Sequence, residues 1–148
     1  MEIRRFGIGQ RRPDGPAGTH NVQAAVIDSG PSGLIAELAL GRHASIEPHS
    51  NPNTTWFIVI EGGGFVTVGP DTARVYAGEA VLWPAGIPHG AGTELSEMRA
   101  IVVEFTADDE VLPPLLDGRA ELLQAGPGEG RLIDDRPAPY DPRHGEPR

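Results

Sequence analysis

The stretch Gly78–Gly90 reads G-E-A-V-L-W-P-A-G-I-P-H-G. An apolar run, Ala80–Trp83, stops at Pro84, and a turn held by two prolines and Gly86 then presents one imidazole, His89. Proline fixes φ and glycine admits turn geometries closed to other residues, so P-A-G-I-P holds its backbone without further contacts. A chain that spends so much backbone restraint on one histidine is placing that side chain to a tolerance that ligand binding requires.

The same alternation of short apolar runs and turn formers extends outward in both directions. Val22–Ile27, Leu34–Leu40, Trp56–Ile60, Phe65–Val68, Arg74–Tyr76 and Arg99–Phe105 are joined by D-S-G-P-S-G, E-P-H-S-N-P-N, E-G-G-G and G-P-D-T. With 20 Gly and 15 Pro dispersed in this way, the chain reads as an all-β domain that closes into a small barrel or sandwich between residues 34 and 105. Gly62–Gly64 is expected to be a tight hairpin turn, and Gly69-Pro70-Asp71 another. Past Phe105 the pattern changes. T-A-D-D-E-V-L starts as a short helix capped by Thr106, limited by Pro113 and Pro114. One domain is expected over 1–125, followed by a Pro/Gly-rich tail over 126–148 that holds His144 and in which Leu132–Ile133 is available as an edge strand.

Composition narrows the function. The formal net charge of −9 argues against a nucleic-acid binder, whose affinity comes from neutralised phosphates; the Arg4, Arg5, Arg11, Arg12 patch is small beside it. Without cysteine there is no disulfide, thiolate or iron–sulfur chemistry. No apolar run approaches the length of about 18 residues needed to span a bilayer, and M-E-I-R-R-F-G-I-G has no apolar stretch behind its charges. A cytoplasmic protein without membrane contact is expected. The E-G-G-G run lacks the lysine and the strand–helix setting of a phosphate loop, and no G-x-S-x-G elbow is present.

Gly78–His89 carries the pattern G, five residues, P-x-G-x-x-H. It resembles the second sequence motif of the cupins, with Thr93 where an asparagine usually closes the motif. Gly41, five residues, then Glu47-Pro48-His49, with T-T-W-F-I-V-I-E-G leading into Gly62, is similar to the first cupin motif. The resemblance covers roughly residues 34–105. It implies a small single-domain cupin, a double-stranded β-helix or jelly-roll barrel open at one end, with a metal held inside by three histidines and a glutamate. Carried over position by position, the ligand positions are occupied by Glu47, His49, Thr55 and His89, and the glutamate position, Thr55, does not match.

The residues themselves support the remaining three. Glu47 and His49 are two apart, so on an unbroken strand both side chains leave the same face, and His89 joins them once the barrel closes. Two imidazoles and a carboxylate are the facial set of non-haem iron, and Mn, Ni, Co or Zn suit the same ligands; one divalent ion is the expected cofactor. Glu47 is then ligand and base, while Thr55 leaves room or hydrogen-bonds a bound water or Glu47. The alternative is that His49 and Glu47 are ordinary turn residues. Phe57 and Val59 share Thr55's parity and are expected on the cavity wall; Trp56, Ile58 and Ile60 then face outward and suggest a homodimer. His43 shares His49's parity but falls in the G-R-H-A-S turn, and Glu104 is expected at a solvent edge. The leading expectation is a metal-dependent oxygenase acting on a small organic molecule. A non-catalytic small-molecule-binding module, a metal-dependent isomerase or lyase, and a metal-free isomerase using a histidine base are the alternatives.

Overall fold

A computed structural model of the chain describes residues 1–106 and 121–122, together with the backbone of the strand residues 132–133, 140–141 and 146–147. The elements are β1 (Thr19–Gly30), β2 (Gly33–His49), β3 (Thr54–Val68), β4 (Asp71–Tyr76), β5 (Ala80–Trp83), β6 (His89–Gly92), β7 (Met98–Phe105), β8 (Leu132–Ile133), β9 (Tyr140–Asp141) and β10 (Glu146–Pro147). The expected helix after Thr106, and His144, lie outside the described residues. No helix among the described residues is long and apolar enough to cross a membrane.

Four strands close a ring. The first half of β2 pairs with β7 and its second half with β6; β3 pairs with β7 through its first half and with β6 through its second. All four pairings are antiparallel. This is a cupin-like jelly-roll barrel, with β1 and β4 added beside β2 and β3, and β5 on β3. β8 lies parallel to β4, opposite Thr72 and Ala73, so Leu132–Ile133 is a strand at the sheet edge. β9 and β10 pair with each other.

Two strands run through segments that read as turns. β3 continues through Glu61–Gly64. Its register against β7 shifts between Val59 and Glu61, and Gly62 has φ +68°, where a Cβ would stand 1.9 Å from the Glu97 carbonyl oxygen. The glycines therefore form a bulge that lets one strand leave β7 and turn the corner onto β4 and β6; they do not close a hairpin. Likewise β2 runs unbroken through Arg42–Ser45, bent at His43, whose φ is +53°. Thr93 braces that bend: its hydroxyl donates to the Gly41 carbonyl and accepts from the Ala44 N–H.

The core follows the alternation. Ala36, Leu38 and Leu40 of β2, Phe57 and Val59 of β3, and Met98, Ala100 and Val102 of β7 fill the inside, with Phe57 and Ala100 fully buried. Burying a side chain the size of Phe57 contributes about 1.5–3 kcal/mol. On the other side of β2 a carboxylate is equally buried. Glu37 accepts from the Gly7 N–H (2.9 Å), from Arg11 Nε and Nη2 (3.0 and 3.1 Å) and from Arg99 Nε. Burial raises its pKa, but Arg11 and Arg99 outweigh that and hold the carboxyl below its ordinary range. The cluster clamps the N-terminal segment across the outer face of β2 and β7.

Candidate functional site

His89 begins β6, and Gly90 explains how it comes so close to β2. A Cβ at Gly90 would meet the Ile46 carbonyl at 2.6 Å, so only glycine lets the two backbones pass. The loop before His89 is docked as well as stiff: Gly86 donates its N–H to the Asn51 carbonyl, and Gly69 donates to that of Pro88. This ties the loop carrying His89 to the loop that follows His49. His49 and His89 pair directly across β2 and β6, with ring centroids 4.6 Å apart.

Glu47 does not join the histidine pair. The β2–β6 register slips between Ile46 and His49, so three steps on β2 match two on β6. The bulge breaks the two-residue parity on which the expected shared face depended. Ile46 is buried opposite Ala91 and His49 pairs with the buried His89, but His49 is itself exposed, as is Glu47, which the bulge sets off from the pair and whose N–H donates to the Gly18 carbonyl. Among the described residues no three His, Cys, Asp or Glu side chains stand together in a group able to hold a metal ion. His43, exposed at its bend, also stands apart from the histidine pair.

Thr55, Phe57 and Val59 are buried on the inner face. Thr55 lies between two inward neighbours, Trp83 on β5 and Glu104 on β7. Glu104 thus corrects the expectation of a solvent edge. It shares the parity of Met98, Ala100 and Val102, and its Oε1 accepts from Asn51 Nδ2 (2.7 Å) and Asn53 Nδ2 (3.2 Å). Trp83 sits within a run of rings, its centroid 4.8 Å from Phe57 and 4.3 Å from His89, both in stacked orientation.

Both imidazoles are held in one tautomer. His49 Nδ1 lies 3.0 Å from the Glu47 carbonyl oxygen, and His89 Nδ1 lies 3.0 Å from that of Ile87. A carbonyl only accepts, so Nδ1 carries the proton and Nε2 keeps its lone pair when the ring is neutral. Burial lowers the pKa of His89, with His49 acting in the same direction, against the opposing effects of the Ile87 carbonyl and Glu104. His89 is therefore a neutral base at pH 7. A separate cavity of about 560 Å³ opens beside Arg11, Arg42, Glu61 and Arg99 on the outside of the barrel; neither histidine lines it.

Residues 36–104 match the family model described as "Cupin domain". The chain belongs to the cupin superfamily. This cupin is similar in fold to the polyketide cyclase RemF from Streptomyces resistomycificus, with a TM-score of 0.61 at 22% identity over 70% of this chain and 80% of that one. It is similar to a cupin 2 conserved barrel domain protein from Salinispora arenicola, with a TM-score of 0.61 at 19% identity over 72% and 90% of the two chains. KdgF from Halomonas sp. aligns with a TM-score of 0.57 at 20% identity, over 64% of this chain and 85% of that one. No functionally curated protein matches. At these identities the structural likeness concerns the fold alone, and the superfamily includes oxygenases, isomerases, cyclases and non-catalytic binders.

The donor set falls short of the metal centre that the cupin motifs imply. It offers two imidazole nitrogens and one neutral hydroxyl, Thr55, where the family has glutamate. Glu104, the remaining carboxylate of the wall, is engaged by two asparagine amides. Nothing in that set replaces Glu47 as a third protein ligand.

Proposed function

We propose that this cupin binds a small organic molecule inside the barrel, among His49, Thr55, Phe57, Val59, Trp83, His89 and Glu104, and that His89 is the proton acceptor toward it. The observation that carries this reading is the pair of Nδ1-anchored imidazoles, one of them buried in an aromatic stack and poised as a neutral base. In the proposed step a hydrogen on the ligand passes as a proton to His89 Nε2, its electron pair stays on the ligand, and the same imidazolium returns the proton. Glu104 stabilises the transient positive charge, and the aromatic wall keeps bulk water from competing for the proton. The oxygenase expectation counts Glu47 as a third ligand, and Glu47 joins no cluster of three possible ligands among the described residues, so the proton-acceptor reading comes first. RemF, of similar fold, is named a polyketide cyclase, which agrees with an organic molecule as the ligand.

We also propose that the chain pairs with a second copy through the outer face. Leu82, Trp56, Val103 and Ile35 form one register row across β5, β3, β7 and β2 on the side away from the core. Leu82, Trp56 and Ile35 are exposed. The N-terminal segment covers Glu37 and leaves this apolar row open.

The test of the binding reading uses protein dialysed against a chelator and a library of small neutral and acidic organic compounds, followed by ligand-observed NMR. Compounds are expected to bind the wild type and to lose binding in folded H49Q and H89Q. Equal binding in all three refutes the site. Metal content is measured in parallel after purification without added metal. One tightly held ion per chain, lost in H49A and H89A, would replace the proton-acceptor reading with a two-imidazole metal centre.

A further inference from the structure

Two polar groups inside the barrel have no hydrogen-bond partner among the described residues, and they sit on paired residues. Thr55 Oγ1 and Trp83 Nε1 are both buried and unpartnered, in side chains only 6% and 4% exposed. Thr55 and Trp83 face each other directly across β3 and β5. Leaving a buried donor unpaired is costly, so each such group calls for a partner beyond the protein atoms, an ordered water, an ion or a ligand. The histidines contribute the opposite character, since each Nε2 is an acceptor. The site thus offers two buried donors at Thr55–Trp83, a buried acceptor at His89 and an exposed one at His49 beside it, with Phe57, Trp83 and His89 stacked on one another.

The charge of the wall is equally selective. Glu104 is its one formal charge among these residues, and it is negative. The chain contains no lysine, and the nearest strand arginine on β7, Arg99, is turned outward onto Glu37. Among the described residues of this wall, a carboxylate or phosphate ligand would meet Glu104 with no cation to offset it.

We infer that the site takes an uncharged hydroxy-carbonyl compound. Its carbonyl oxygen accepts from Trp83 Nε1–H and Thr55 Oγ1–H, and its hydroxyl donates to a histidine Nε2. This inference rests on the small-molecule reading proposed above and adds the substrate class to it. It also gives Thr55 a purpose: at the position where the family carries a glutamate, a neutral hydroxyl replaces a metal-binding carboxylate and donates to a carbonyl. The same two donors lie where negative charge develops on that oxygen when His89 removes a neighbouring proton, so they favour the enolate over the ketone.

The test measures equilibrium binding by calorimetry, in the presence of a chelator, for two probes of nearly equal size. One is 2-hydroxyacetophenone, a neutral aryl hydroxyketone; the other is benzoylformate, with a carboxylate in place of the hydroxymethyl group. The neutral probe is expected to bind saturably below ~10 mM, and the anion at least about tenfold more weakly. T55V and W83F each remove one donor and are expected to weaken the neutral probe about tenfold, whereas T55S, which keeps the hydroxyl, stays within roughly twofold of wild type. Melting temperatures establish that each variant is folded. Absence of saturable binding by the neutral probe, tighter binding of benzoylformate, or wild-type affinity in both T55V and W83F overturns the inference. If H49Q and H89Q abolish binding of library compounds while T55V and W83F leave it intact, the substrate class falls and the binding reading stands. If none of the four variants alters binding, both fall.

Discussion

Replacing Glu37 with Gln tests whether the buried carboxylate holds the N-terminal segment to the barrel. The substitution keeps the shape and removes the charge. In the wild type two carboxylate oxygens accept from the Gly7 N–H, two nitrogens of Arg11 and Nε of Arg99. Glutamine offers one acceptor oxygen and turns an NH₂ toward groups that are all donors. Breaking a buried ion pair by removing one partner costs about 3–5 kcal/mol. Here the Arg11 and Arg99 side chains remain 14% and 25% exposed and regain some hydration, which brings the expected loss to about 2–4 kcal/mol. For a domain of this size each kcal/mol lowers Tm by roughly 2–4 °C, so E37Q is expected to melt about 4–16 °C lower. Acid supplies a second check. A carboxyl held below its ordinary pKa stabilises the fold fully above the unfolded value, near 4.5, and loses that contribution as pH falls through the lower folded value. The gap between wild type and E37Q in urea melts should therefore narrow from pH 4.5 downward. Trypsin should also cut E37Q faster after Arg11. A stability change under about 0.5 kcal/mol, the usual scatter for a surface substitution, refutes the clamp, as does a gap that widens in acid.

Protonation of His89 should destabilise the fold in the same direction. Its folded pKa lies below the ordinary 6.5, with His49 and Glu104 the titratable neighbours, so wild-type stability should fall as pH drops below 6.5, and urea melts of H89Q should show a flatter profile over that range. Thr55→Glu restores the family's carboxylate beside the two imidazoles and should raise zinc content well above wild type in mass spectrometry after dialysis; unchanged content would mean that the histidine pair is not oriented for metal at all. Trp56→Glu places a charge in the apolar outer row and should turn a sedimenting dimer into a monomer with little change in Tm. A wild type that is already monomeric at micromolar concentration removes the second copy from the proposal.

Most of the barrel was legible because its signals are local. P-S between Gly30 and Gly33 and G-P before Asp71 are turns that their residue types dictate, and the parity of Thr55, Phe57 and Val59 holds along an unbroken stretch of β3. The reading failed where the chain departs from strict alternation. A bulge carries no residue signature strong enough to place it, so strict alternation puts Glu47 on the face of His49, and the glycines at 62–64 read as a hairpin although they form a corner within one strand. β6 escaped notice because H-G-A-G contains no β-branched or aromatic side chain; close approach to β2 leaves no room for one at Gly90. Glu104 was within reach, since it continues the alternation of Met98, Ala100 and Val102. Glu37 was not. Its partners come from positions 26 residues before it and 62 after it, and nothing near it signals that two arginines converge there.

Thr55 and Trp56 are joined by a single peptide bond, yet one lines the interior and the other the exposed outer row. Close-packed strands transmit displacement with little compliance. Any surface that presses on Trp56 therefore shifts the backbone that aims the Thr55 hydroxyl, and a molecule seated on Thr55 fixes the backbone that presents Trp56. Linkage makes the effect mutual: the free energy by which association alters the affinity for an interior guest equals that by which the guest alters association. If the proposed second copy seats on Trp56 and the proposed ligand on Thr55, concentration of the protein itself becomes a variable in its own ligand response, and dilution series are then as informative about this barrel as ligand titrations.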